Sequence, residues 1–504
     1  MSADTTKSLV PHHGLITISV ILATTMQGLD GTIANVALPH IQASMSSTQE
    51  QMSWVLTSYI VATAIMIPLS GWLASRFGRK KVLLASIAFF TLTSMMCGLA
   101  QSLPQLVLFR LLQGFSGAAL VPMSQATLLD INPPERHARA MSVFVMGVTL
   151  GPIMGPMLGG WLTEEYSWRW VFFINVPIGA ACFFGLFSFM PETQTKRSNF
   201  DYVGFGTVTV AILALQLLLD RGQLKDWFSS TEIVIEAICA VLAAYLFAVH
   251  SATVREPFID LHLFKDRNFV LGCIFILVIG VLMFAPLALL PSLLQDLMNY
   301  PVITAGMLMA PRGLGTMVAT FSLKLLLKYF DPRAIIGAGF VVTSLSIWSM
   351  SGFYLQMNDS LMVWSGVLLG FGVGLSFVPL ATSAFATLPI RMRNEGTSVF
   401  SLMRNLGSSI GIAGVQVLFI RNVQIMHARL GEHVTPFQNG LRAHMDLSST
   451  TGLLAMNGEV TRQATMMAYN NVFKLMFIMS IACVPLVLLL RKAAATSAPE
   501  VIIE

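Results

Sequence analysis

Gly147-Val148-Thr149-Leu150-Gly151-Pro152-Ile153-Met154-Gly155-Pro156-Met157-Leu158-Gly159-Gly160 reads as a helix with one side left bare. Glycine recurs every four residues, so Gly147, Gly151, Gly155 and Gly159 fall on one helical face. Without side chains there, a second helix can approach closely. Pro156 removes a backbone donor and can kink the helix. A single glycine pair at this spacing would indicate ordinary small-residue packing. The doubled spacing, followed by Gly-Pro and Gly-Gly, is more specific. The stretch lies in an apolar run over 139–162, long enough to cross a ~30 Å hydrocarbon core.

Such runs recur along the chain. The others fall at 15–38, 52–74, 82–100, 104–128, 170–190, 203–219, 231–250, 269–295, 303–325, 334–355, 361–387, 397–420 and 469–490. Fourteen spans are therefore expected. A lone span in lipid must satisfy its own backbone hydrogen bonds, which selects helices. A membrane barrel would show alternating segments of about ten residues. The composition agrees: 55% of the 504 residues are hydrophobic and 11% charged, with a mean hydropathy of +0.72. A soluble domain carries about 25% charged residues. The fold class is thus all-α and membrane-embedded.

The net charge is +5, but the basic residues sit in short loops, so nucleic acid is not an expected partner. With the N-terminus inside, one set of loops holds nineteen Lys and Arg, including Lys7, Arg76, Arg79, Lys80, Lys81, Arg136, Lys196, Arg255, Arg391 and Lys492. The opposite set holds seven, including Arg169, Arg221, Lys225, Arg429 and Arg442. That bias places both termini in the cytoplasm. The first run is too long for a signal-peptide core and is read as an uncleaved span. The five cysteines lie in apolar runs without a CxxC pair, which argues against a disulfide framework or a zinc site.

Four cations remain inside the spans: Arg110, Arg312, Arg404 and Lys474. Asp30 lies in the first span, within Leu29-Asp30-Gly31-Thr32. An ionised carboxylate at that depth is protonated, paired or faces water, as a proton carrier requires. The other reading is a structural Asp capping a break at Gly31. Arg110 stays charged and needs a partner or a wet cavity, unless it snorkels to an interface. Gln113 and Gly114 share its helical face, and Asp30 is its expected partner. Arg312 and Arg404 are read either as attracting anionic or polarised cargo or as linking helices. Between spans two and three, Gly71-Trp72-Leu73-Ala74-Ser75-Arg76-Phe77-Gly78-Arg79-Lys80-Lys81 combines a tight turn with a basic cluster. It suits a gate as well as a plain basic loop. No GxxxxGK[ST] loop is present, so no ATP site of that type is evident.

These features together resemble the major facilitator superfamily, in particular its fourteen-helix drug:proton antiporters. Gly71–Lys81 is similar to the family's gating loop, Arg110–Gly114 to its motif in helix four, and Gly147–Gly160 to its antiporter motif in helix five. Ser75 stands where the gating loop usually has Asp, so the charge pair of that gate is either absent or supplied elsewhere. Further likenesses are Trp168–Gly179, Thr304-Ala305-Gly306 with Pro311–Gly315, and Arg404–Gly411. Leu219-Asp220-Arg221-Gly222 with Asp226–Ser230 resembles the EmrB-type branch.

The resemblance implies a six-helix bundle over 1–200, two inserted helices over 201–268, and a second six-helix bundle over 269–504 with a long periplasmic loop at 421–468. It implies export of small hydrophobic compounds across a bacterial inner membrane, driven by a proton gradient without a cofactor. It also implies a periplasmic adaptor of the EmrA type and an outer-membrane channel. Asp30 would take a proton from outside and release it inward, with Arg110 biasing its affinity. Met26, Gln27, Gln113, Arg312 and Arg404 are the expected cargo contacts. Gly71, Arg76, Gly78, Arg79, Gly147, Gly151, Gly155, Pro156 and Gly159 are the expected gating and packing residues. The alternatives are a metabolite or fatty-acid transporter of the same superfamily, a membrane sensor, or a membrane enzyme. No HExxH or paired-His set within a span supports the last.

Overall fold

The computed structural model describes residues 12–133, 136–193, 195, 200–254, 256–389, 392–434 and 449–491. Lys7, Lys196, Arg197, Arg255, Arg391, Arg442 and Lys492, seven of the basic residues counted above, lie outside them. Every regular element among the described residues is helical. In order they are α1 (His13–Met45), α2 (Gln49–Phe77), α3 (Arg79–Leu99), α4 (Leu103–Gly117), α5 (Leu120–Ile131), α6 (His137–Glu165), α7 (Trp170–Phe173), α8 (Asn175–Phe189) and α9 (Tyr202–Arg221). There follow α10 (Thr231–Thr253), α11 (Arg267–Ser292), α12 (Val302–Met309), α13 (Pro311–Tyr329), α14 (Pro332–Met350), α15 (Asp359–Ala386), α16 (Arg393–Glu432) and α17 (Thr450–Leu486).

Local chemistry sets many of these boundaries. Thr48 and Gln51 form a reciprocal capping box that starts α2. Asp266, Asp331 and Asn358 cap α11, α14 and α15 by accepting backbone N–H bonds. Gly78, at φ 89°, is the whole connection between α2 and α3. That backbone is open to glycine and strained for other residues.

Three expected spans are interrupted. The fourth breaks at Ala118–Ala119, the sixth at Ile174 and the tenth at Ala310, where Pro311 opens α13. Among the described residues, thirteen helical stretches are long and apolar enough to cross a membrane. The tenth, broken at Ala310, is not among them: its longer piece, α13, carries Arg312, Lys324 and Lys328. With it, the spans number fourteen.

The largest departure from the sequence reading is at 421–468. It is not loop at either end: α16 continues to Glu432 and α17 begins at Thr450. Only the middle of that stretch, 435–448, lies outside the described residues. Hydropathy marks where lipid ends, whereas helix formation goes on wherever propensity and packing allow. Forty residues of α16 span about 60 Å, twice the hydrocarbon thickness. Beyond the apolar run, α16 and α17 stay paired through Asn422 with Asn471 and His427 with Asn457.

Packing gathers α1–α8 on one side and α11–α17 on the other. The main pairs are α1 with α6, α2 with α4 and α3 with α8, then α11 with α16, α13 with α15 and α14 with α17. Contacts between the two groups run through α2 with α16 and α6 with α13 and α15. The α9–α10 pair lies outside both, with α9 touching α2 and α16. Gln216 of α9 donates to Ser409 of α16, and Thr57 of α2 donates to Asp220 of α9. α10 leaves Ile235, Ile238, Val241, Tyr245 and Leu246 exposed, as a helix facing lipid does.

The glycine stripe of α6 lies against α1. A Cβ on Gly151 would meet the Leu29 nitrogen and the Thr25 carbonyl oxygen, both at 2.6 Å. One on Gly147 would approach Ile21 at 2.8 Å, and one on Gly159 the Ile33 carbonyl oxygen at 3.0 Å. Gly155 is in contact with Thr32. Pro156 falls inside the helical run of α6. The bare face thus serves to bed the helix that carries Asp30.

Candidate functional site

The first group of helices closes around Asp30. Its carboxylate is 0% exposed and accepts three hydrogen bonds. Arg110 Nη1 donates to Oδ2 at 2.7 Å, while Gln113 Nε2 and Asn175 Nδ2 each donate to Oδ1 at 2.8 Å. Arg110 is also 0% exposed. Its Nε donates to the Val55 carbonyl, and Nη1 also donates to Gln113 Oε1 at 2.9 Å. The guanidinium lies 4.2 Å from the Tyr59 ring centroid. Tyr59 in turn accepts from Gln27 at 3.4 Å. Cys97 donates weakly to Gln113 Oε1.

The geometry explains how charge is held in a lipid-facing fold. Isolated, either ion would carry a desolvation penalty of several kcal/mol. Paired, and with hydrogen bonds to most remaining polar atoms, the two make a neutral unit. Two buried atoms stay unpartnered, Arg110 Nη2 and Asn175 Oδ1. An apolar shell including Leu29, Ile33, Val55, Leu106 and Phe172 borders the network.

The second polar locus lies where α2 meets α3. Gly71 packs closely against Asn394, Glu395 and Ser398 of α16, where a Cβ would meet atoms at 3.0–3.3 Å. Arg79 is buried and pairs with Asp130 of α5 at 2.7 Å, while donating to Asn394 at 2.6 Å. Arg393 of α16 reaches the same carboxylate at 3.1 Å. Asp130 therefore supplies the acidic partner that Ser75 does not. Ser75 donates to the Gly71 carbonyl and accepts from Asn394 at 3.5 Å. Arg76 is exposed and lies over Trp72.

The expected cargo contacts separate. Gln113 and Gln27 belong to the Asp30 network. Met26 is fully buried in apolar core, because its face of α1 points into the bundle. Arg312 lines a cleft between α6 and the second group, with Pro152, Leu290, Met309, Met350 and Met362. The cleft is narrow, with a cavity volume of about 20 Å³. Arg312 Nη2 donates to the Met283 carbonyl at 2.7 Å, and no carboxylate among the described residues pairs with it. Arg404 is half-buried and forms no ion pair among the described residues. Neither arginine joins the Asp30 network.

Sequence reasoning passed over Asn175, Ser94, Asp130, Arg393 and Asn394 as site residues. Asp130 left a trace, as an acid closing an apolar run just before a basic loop. Asn175 left little, since one neutral amide barely disturbs a hydrophobic stretch.

Among the described residues, membrane-length helices in two packed groups, joined through α2 with α16 and α6 with α13 and α15, define a membrane transporter scaffold. The chain belongs to the Major Facilitator Superfamily, whose profile matches residues 20–412. It is 36% identical over 470 residues to the multidrug export protein EmrB of Escherichia coli K12, covering 91% of each chain. It is 35% identical over 489 residues to the fatty acid resistance protein FarB of Neisseria gonorrhoeae, covering 94% of this chain and 96% of that one. Among solved structures, the human organic anion transporter MFSD10 superposes with a TM-score of 0.60 at 14% identity, covering 93% of this chain and 100% of that one. The proton:xylose symporter XylE gives 0.59 at 13%, covering 94% and 96%. At those identities the two structures speak to the fold alone.

Proposed function

We propose that this protein is a proton-driven exporter of small hydrophobic compounds. The observation that carries the reading is Asp30, an ionisable group sealed inside a bundle and held by Arg110, Gln113 and Asn175. Buried carboxylates in membrane spans mark ion and proton paths. The similarity to EmrB across nine-tenths of the chain supports multidrug export as the task. Asp30 takes a proton on one side and gives it up on the other. Proton and cargo favour opposite-facing states, and that difference couples the two flows. The cargo is moved rather than chemically converted, and the proton gradient supplies the energy without a cofactor.

The basic loops orient the chain in a bacterial inner membrane with both termini cytoplasmic. The Arg79–Asp130–Arg393 contacts then form a cytoplasmic closure between two six-helix bundles. The extended ends of α16 and α17 stand in the periplasm, where an EmrA-type adaptor leading to an outer-membrane channel would dock. Deleting 435–448 should abolish co-purification with such an adaptor; undiminished co-purification removes this part of the reading.

The main test uses everted vesicles energised by respiration. Wild-type protein should show drug-dependent proton flux. Asp30→Asn should show none at normal membrane levels. Full drug resistance in cells carrying that variant would sink the proposal.

A second reading, export of amphiphilic acids, is favoured by the FarB similarity and by Arg312 in its apolar cleft. Competition by a long-chain fatty acid, lost on Arg312→Gln, would distinguish it.

A further inference from the structure

We propose that Asn175 registers the proton on Asp30 by turning its side-chain amide over. The inference rests on the proton-carrying role of Asp30 given above.

Asp30 is faced by Arg110 and Gln113 from α4, Tyr59 from α2, Cys97 from α3 and Asn175 from α8. In the ionised state every contact to the carboxylate is a donor, and the three donors match it. A protonated carboxyl needs the reverse at one oxygen, because it now has an O–H to place. Arg110 cannot accept. Gln113 has an amide oxygen, but Arg110 and Cys97 already occupy it. Reversing Gln113 would set its NH2 against the guanidinium.

Asn175 is different. Its Nδ2 donates to Asp30 Oδ1 and to Ser94 Oγ, while its Oδ1 is buried with no partner. A buried, unpartnered acceptor costs about 1–3 kcal/mol, so its persistence calls for a reason. A half-turn about the last side-chain bond brings that oxygen to the new Asp30 O–H. The proton enters from the side to which the site is open and leaves to the other. No other bond forms or breaks covalently.

The turn also reaches further. Ser94 now accepts from Asn175 and donates to the Phe172 carbonyl at 2.8 Å. Once the amide has reversed, the Ser94 hydroxyl can donate to Asn175 Oδ1 and release Phe172. Phe172 lies in α7 and Asn175 begins α8, on either side of the break at Ile174. The protonation state is thereby read at the interruption of the sixth span. Asn175 is a positioning residue that acts through Asp30.

The test is infrared difference spectroscopy of the purified full-length protein across a pH step, without cargo. Wild-type protein should show a protonated-carboxyl C=O band that Asp30→Asn removes. In Asn175→Leu, similar in branching but apolar and larger, the band should move to higher frequency because the acid has lost its acceptor. Asn175→Ser, which can donate or accept, should return it toward the wild-type position. Asn175→Ala is measured alongside, so that a poorly folded leucine variant does not decide the matter. A band at the wild-type position in both apolar variants overturns the inference, leaving Asn175 a fixed donor. A band that survives Asp30→Asn overturns the proton-carrying role of Asp30 itself, and the inference with it.

Discussion

At Asp30 and Arg110 the balance of burial and pairing can be put to a direct measurement. Replacing Arg110 by Ala leaves a buried carboxylate without its counter-ion, which costs about 3–5 kcal/mol. Pairing Arg110→Leu with Asp30→Asn removes both charges and should cost much less than the two single changes summed. Thermal melting of purified protein checks the non-additivity. This pair was legible in the sequence because a charge inside an apolar run stands out. Asn175 was not, because a neutral amide changes hydropathy too little to be noticed. The pairing of Asp130 with Arg79 was hidden for another reason: both stand at the ends of apolar runs beside basic loops, where a charge is ordinary and singles out no partner.

Among the elements, the α1–α6 contact is the most constrained. Gly151→Ala would force its methyl against backbone atoms of Leu29 and Thr25. Backbone does not yield as a flexible side chain does, so overpacking of about 1–3 kcal/mol is expected. The shift would also displace Asp30, so export should fall more than abundance; drug efflux normalised to membrane level measures this. The four-residue glycine period made this contact readable in advance, though not which helix would fill it.

The start of α9 offers a pH-dependent check. Asp201 caps the helix through the Gly204 N–H and also accepts from His250 and the Phe258 N–H. Burial pushes its carboxyl up, but these bonds together outweigh it and hold it below the ordinary value. A lowered acid stabilises the fold above its unfolded pKa and loses that contribution as pH falls through the folded one. The stability gap between wild type and Asp201→Ala, about 1 kcal/mol near neutrality, should therefore narrow below about pH 4. Melting curves across that range would show it. Element ends were the least legible feature: α16 and α17 outrun their apolar stretches because helix formation does not stop where lipid does.

For the molecule as a whole, the contacts joining the two helix groups decide which face is shut. Asp130 is reached by Arg79 from its own group and by Arg393 from the other. It is partly exposed, so each ion pair contributes at most about 1 kcal/mol. Asp130→Asn should therefore raise the labelling rate of a cysteine placed at Ser398 by about fivefold. An unchanged rate would show that Gly71 packing alone holds the closure. The number of spans followed from periodic hydropathy, whereas their expected grouping came from the family resemblance. The bonds that tie one group to the other followed from neither, since they depend on three-dimensional neighbours.

The neutrality of the Asp30–Arg110 unit carries a consequence for electrical work. With Asp30 ionised the pair has no net charge, so reorienting it across the bilayer is indifferent to membrane voltage. With Asp30 protonated, Arg110 is uncompensated and the same movement carries one positive charge. Under the role proposed for Asp30, voltage then acts on the proton-loaded step, by up to about 2.3 kcal/mol per 100 mV. The respiring cell would pull the loaded form inward electrically as well as chemically, while the unloaded return runs free of the field.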